Sequence, residues 1–160
     1  MPTSTYDLIA SNVLGSSASS VTFSSIPATY RDLILVIHAR ANSNIAIQLN
    51  SDTGSNYSRV SMLGTGSVAQ SSSTTGDRFY IAEQAQSNTV FVQYRLQFFD
   101  YSATDKHKPL LVRGDNANAA TMAEAHRWAS TSAINSIFMF SDGGGVFASG
   151  SSFYLYGISA

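Results

Sequence analysis

The sequence predicts an all-β protein: an antiparallel two-sheet sandwich, jelly-roll-like, of about eight to ten strands. Three observations carry that expectation. Apolar residues recur at every second position over most of the 160-residue chain, the spacing of a strand with one covered face. The segments between these runs are clusters of Ser, Thr, Asn, Asp and Gly, spaced as sandwiches space their turns. Charged residues make up 12% of the chain and hydrophobic ones 44%. The usual charged share is about 25%, so the polar surface must come from Ser, Thr, Asn and Gln, which suit strands and loops better than helix faces.

The elements follow in chain order. "YDLIA" (6–10) reads as a short first strand and "SSVTFSSI" (19–26) as a second. In "DLILVIHAR" (32–40), Leu33, Leu35 and Ile37 fall on one face and Ile34, Val36 and His38 on the other, which predicts a strand covered on both sides. "NIAIQLN" (44–50) turns Ile45, Ile47 and Leu49 inward and Ala46, Gln48 and Asn50 outward. "DRFYIAE" (77–83) is a further strand. "TVFVQYRLQFFDY" (89–101) is the longest run, setting Val90, Val92, Tyr94, Leu96 and Phe98 against Phe91, Gln93, Arg95, Gln97 and Phe99. "KPLLVRG" (108–114) and "MAEAHRWA" (122–129) come next. Residues 117–132 have the Ala, Met and Glu content of a helix. Met122, Glu124, His126 and Trp128 nevertheless alternate with Ala123, Ala125 and Arg127, which favours a strand followed by a short turn. "INSIFMFS" (134–141) and "SFYLYGI" (152–158) close the set. The last is rich in Phe and Tyr and reads as an interior strand paired on both sides. "NSDTGSN", "GTGSVAQSSSTTG" and "SDGGG" read as turns.

One domain over 1–160 is expected, with 1–5 a short N-terminal arm, since no linker or repeat interrupts the pattern. Cysteine is absent, so no disulfide framework is available and folding in a reducing compartment is expected. The start lacks a secretory pattern, and the longest apolar run is too short for a membrane span. The formal net charge is −1 and the basic residues are scattered singly, so neither a nucleic-acid nor a membrane partner is expected.

The sequence shows no catalytic constellation. Most carboxylates sit in turn segments. Glu83 and Glu124 lie in strands, and only tertiary proximity could make them a glycosidase pair. His38, His107 and His126 form no metal-ligand pattern, so no metal and no cofactor are expected. His38 is expected as an interior or interface residue and His107 as part of a solvated loop. "LNSDTGSNYS" (49–58) offers Asn50, Asp52, Ser55 and Asn56 as oxygen ligands, but a single carboxylate makes a turn with Asx hydrogen bonds the stronger reading than calcium. "RGD" (113–115) is expected to be a charged turn. Trp128, beside Arg127 and His126, is weighed as a sugar-stacking platform and read instead as core or interface. Asn50, Asp52, Asn56, Tyr57 and Trp128 are the interface candidates, and residues 64–76 are a second candidate loop.

Three stretches carry a resemblance. "YDLIASNVLGSSASSVTFSSIPATYRDLILV" (6–36), "IQLNSDTGSNYS" (47–58) and "GSSFYLYGI" (150–158) together resemble small structural proteins of tailed-bacteriophage particles, found as stand-alone virion components or as tail-fibre modules. The resemblance implies a β-sandwich without enzymatic activity, made in the host cytoplasm and assembled into the virion. It transfers no functional residue. Of the two roles it leaves open, a capsid decoration (cement) protein is favoured over a receptor- or glycan-binding tip, because no coiled coil or shaft repeat accompanies the sandwich. Apolar residues on both faces of the 32–40 and 89–101 strands call for further cover, so a homo-oligomer is expected. A trimer on the major capsid protein is favoured because three-fold sites abound on icosahedral shells.

Overall fold

The computed structural model describes residues 5–81, 83 and 86–159. All of the expected N-terminal arm except Thr5 lies outside the described residues. Twelve strands form: β1 (Tyr6–Val13), β2 (Ser20–Phe23), β3 (Asp32–Ala39), β4 (Ile45–Leu49), β5 (Tyr57–Gly64), β6 (Ala69–Gly76), β7 (Phe79–Ile81), β8 (Val92–Phe98), β9 (Lys108–Asn116), β10 (Ala120–Trp128), β11 (Ile137–Ser141) and β12 (Ser152–Ile158). They make two antiparallel sheets, an eight-stranded one in the order β1-β12-β3-β8-β9-β10-β5-β6 and a four-stranded one in the order β2-β11-β4-β7.

The expected jelly roll is present. The chain passes from large to small sheet between β1 and β2, returns at β3, and crosses again at β4. With the large-sheet hairpins β5–β6 and β9–β10 set aside, it then stays in the small sheet through β7, returns to the large sheet at β8, crosses at β11 and returns at β12. The half-sheets β1-β12-β3-β8 and β2-β11-β4-β7 are therefore the two layers of a double-sheet jelly roll. Two inserted hairpins, β5–β6 and β9–β10, extend the large sheet beyond β8. They account for the strands in excess of the expected number.

The core lies between the layers and follows the predicted alternation. Leu33, Leu35 and Ile37 of β3, Tyr94, Leu96 and Phe98 of β8, and Phe153 and Leu155 of β12 are fully buried. β12 pairs with β1 on one side and β3 on the other, as the aromatic content of the last strand implied. Residues 120–128 are strand, not helix: Met122, Glu124, His126 and Trp128 face inward while Ala123, Ala125 and Arg127 are exposed.

Several expectations fail, each for a physical reason. β5 and β6 are strands where turn or unassigned sequence was expected. In β5 the polar Arg59 and Ser61 point inward and Val60 and Met62 point out, so the hydropathy pattern is inverted. β6 is an edge strand exposed over nearly its whole length, so no apolar face marks it. In β4, Ala46 and Gln48 take the outward face as expected, but both are buried there. Ala46 lies opposite Phe140 and Tyr80, and Gln48 opposite Phe138, so larger neighbours cover them. Gln48 also donates to the carbonyl of Asp77 at 3.1 Å. Arg113–Asp115 is not a turn but part of β9, paired with both β8 and β10. His38 is exposed rather than interior, its ring tilted against Phe91 at 5.2 Å, whereas His107 lies in an exposed loop as expected.

Candidate functional site

The loop between β4 and β5 gathers most of the residues singled out in the sequence. The Asp52 N–H donates to the Leu49 carbonyl at 2.9 Å, and the two residues between, Asn50 and Ser51, have φ of 52° and 57°. Positive φ at both central positions defines a type I′ reversal, a conformation in which Asn is among the favoured residues. The Asn50 side chain then ties this reversal to the 133–136 segment. Its Oδ1 accepts the N–H groups of Asn135 (2.9 Å) and Ser136 (3.1 Å), and its Nδ2 donates to the Ala133 carbonyl at 2.7 Å.

Asp52 organises the rest of the loop. Its carboxylate accepts the Gly54 N–H at 2.8 Å, an Asx turn, together with Asn56 Nδ2 at 2.9 Å and the Trp128 indole N–H at 2.7 Å. Burial works against its charge, but the bonds from Trp128, Asn56 and Gly54 outweigh it and hold the carboxyl below its ordinary range. Tyr57 donates to the Asp52 carbonyl at 2.9 Å and accepts the Leu49 N–H at 3.1 Å. Burial, reinforced by the Asp52 and Asp77 charges and partly offset by the Leu49 hydrogen bond, pushes its phenol up to about 12.

The structure thus brings Asn50, Asp52, Asn56, Tyr57 and Trp128 together, with their polar groups turned toward one another and the backbone. Trp128 is only 2% exposed and offers no stacking platform. The Asx-turn reading of 49–58 is the one observed. The loop is a lock that joins β4, β5, β10 and the 133–136 segment, and its exposed residues are Ser51 and Thr53 to Asn56.

Sequence reasoning missed a second polar cluster, between the layers. Arg59 reaches Glu83 at 2.5 Å, Glu124 at 3.6 Å and the Tyr80 carbonyl at 3.1 Å. His126 Nε2 lies 3.2 Å from Glu124, and the His126 ring meets the edge of Phe79 at 4.8 Å. The fold does bring Glu83 and Glu124 into one neighbourhood, but a guanidinium stands between them where a scissile bond would have to lie. The signal available was the inverted alternation of β5. A third network ties the turn after β11 to β7. Arg78 binds Asp77 through two nitrogens at 2.7 and 2.8 Å and Asp142 at 2.8 Å, and Tyr80 donates to Asp142 at 2.7 Å. Among the described residues no group of three or more His, Asp or Glu side chains is placed to hold a metal ion, and no helix is long and apolar enough to cross a membrane.

What remains is the outer face of the large sheet. Pairing registers align Leu8, Tyr156, Ile34, Gln97, Leu111, Ala125 and Val60 in one row across seven strands. The adjacent row runs Tyr154, Val36, Arg95, Arg113, Ala123 and Met62. Leu8, Leu111, Val60 and Met62 are each more than half exposed (55%, 53%, 56% and 67%). The charges within these rows are the neighbouring Arg95 and Arg113, and Arg127 follows on the exposed side of β10. β1 and β6 stand at opposite ends of the same sheet and are its edge strands among the described residues.

No family model matches the chain, and no curated protein matches it. Among solved structures, the core of Drosophila NLP, described for pentamer formation and histone binding, is similar over 96% of this chain and 97% of that one, with 13% identity and a TM-score of 0.26. An alginate lyase in complex with an alginate tetrasaccharide is similar over 87% and 79%, with 8% identity and a TM-score of 0.27. Likenesses this slight do not bear on function.

Proposed function

We propose that the chain is a non-enzymatic structural protein of a tailed-phage particle, a capsid decoration (cement) protein that binds the major capsid protein as a homotrimer. The observation that supports the reading is the outer face of the large sheet. A sandwich covers only the inner faces of its sheets, yet here Leu8, Leu111, Val60 and Met62 recur across an exposed face whose charges in these rows are Arg95 and Arg113. Contiguous apolar surface of this kind on a small domain is characteristic of a surface that works by contact. The arginines at its centre argue for the symmetry. A two-fold stack of this face on its own copy would set Arg95 and Arg113 against the same residues of the partner. A three-fold ring joins unlike patches, and the edge strands β1 and β6 are two such patches. The Arg-studded face is then left for a shell surface of opposite sign.

The test is the protein inventory of purified particles, with heads and tails separated. The reading expects this chain in the head fraction, at a copy number in whole multiples of three per shell site. Absence from particles ends the reading, and presence confined to tails replaces decoration by a tail role.

A further inference from the structure

The outer face ends in a cleft of about 660 Å³ whose floor is a third cross-strand row: His38, Gln93, Asp115, Thr121 and Gly64, one residue from each of β3, β8, β9, β10 and β5. We infer that this cleft is a saccharide-binding site for a neutral oligosaccharide. The inference stands independently of the virion reading.

The chemistry of the row carries the assignment. Strands lie about 4.8 Å apart, so the floor offers, at that repeat, an imidazole, a carboxamide, a carboxylate and a hydroxyl, which are mixed donors and acceptors with a single acidic group. A polyhydroxylated ring presents the same mixture at a similar repeat. On the floor itself an anion would meet Asp115, its one carboxylate, with Arg95 and Arg113 standing one row away, and a long apolar ligand would strand these polar groups, so a neutral polar ligand suits the floor best. Beside the floor stands Phe91, 39% exposed. Its ring is steadied by His38 and by the Arg40 guanidinium, which lies 5.0 Å from the ring centre. What stays open of that ring gives the C–H face of a sugar an apolar contact.

The walls are pre-formed, which lowers the ordering cost of binding. On one side the β5–β6 turn is closed by Thr65 N–H to the Val68 carbonyl (3.0 Å) and Val68 N–H to Thr65 Oγ1 (3.1 Å), with Gly66 at φ 85°. Next to it, at the same end of the sheet, the β9–β10 turn is closed by Ala119 N–H to the Asn116 carbonyl (2.8 Å) and Asn118 N–H to Asn116 Oδ1 (3.1 Å). The combination of an apolar plate, a few convergent polar groups and rigid walls is that of a small-molecule site.

The experiment is a titration of the isotope-labelled protein, followed by amide NMR, with oligomers of glucose, mannose and N-acetylglucosamine, and with oligogalacturonate as the acidic arm. The expected result is saturable shifts at Gln93, Asp115 and Thr121 with at least one neutral oligomer. Affinity should fall roughly tenfold or more in Asp115→Ala and in Phe91→Ala, with melting temperatures near wild type. Gln93→Ala takes the place of either variant that fails to fold. No binding of any neutral oligomer, binding of oligogalacturonate alone, or binding untouched by these substitutions would overturn the inference. Particle composition decides the virion reading separately, so the two can fail apart.

Discussion

At the scale of single residues, the largest consequence hangs on Asp52. The buried indole of Trp128 has its N–H on this carboxylate, so Asp52→Ala leaves a donor stranded and should destabilise by about 1–3 kcal/mol in chemical denaturation. The folded carboxyl lies below its ordinary range. Its charge-dependent stabilisation is therefore complete above the usual Asp value of about 3.9 and is lost as pH falls through the lower folded value. The stability gap between wild type and Asp52→Asn should accordingly narrow under strong acid and stay constant from there to neutrality. A gap that is flat throughout would mean that the charge does not matter. Gly157 makes the second residue-scale case: a methyl group there would overlap the Tyr30 ring, which lies directly over it. Gly157→Ala should cost about 1–3 kcal/mol through overpacking, and Tyr30→Ala should relieve the clash in the double variant.

At the scale of elements, β12 is the strand on which the jelly roll closes, since it pairs with both β1 and β3. Phe153 and Leu155 are fully buried while Tyr154 and Tyr156 are half-buried on the outer face. Leu155→Ala should cost roughly 2–5 kcal/mol and Tyr156→Ala clearly less, a comparison that urea titration settles. Arg59 belongs to this scale because it joins β5 to Glu124 of β10 and to Glu83 after β7. Arg59→Ala withdraws the guanidinium from a buried carboxylate and should cost about 3–5 kcal/mol. Adding Glu124→Gln should restore part of it. The same elements show how far the sequence could be read. β3, β8 and β12 were legible because every second residue is apolar and faces the core, and the Ala-rich β10 kept a period-two alternation even with Glu124 and His126 among its inward residues. β5 was not, because Arg59 and Ser61 occupy its inward positions. β6 was not, because an edge strand of Ser and Thr has no covered face to announce it. The candidate loop was legible as an Asx turn. Nothing local could tell that Trp128, 76 positions away, completes it, or that five strand ends meet in one cleft.

At the scale of the whole molecule, two hairpins lengthen one sheet of the jelly roll from four strands to eight while the other stays at four. The second layer therefore cannot decide what the extended sheet's outer face touches. That face carries Val60, Met62 and Leu111 in the open, arginines at its centre, and an edge strand at each end. In solution the trimer reading expects light scattering at about three times the chain mass of 17.1 kDa, and a monomer at micromolar concentration would count against it. The most direct measurement is an electron-microscopic reconstruction of the intact particle at a resolution that separates strands. The account predicts trimers of the jelly roll on the shell, with Val60, Met62 and Leu111 buried against the major capsid protein. Particles without this density, or with that face turned to solvent, would contradict it.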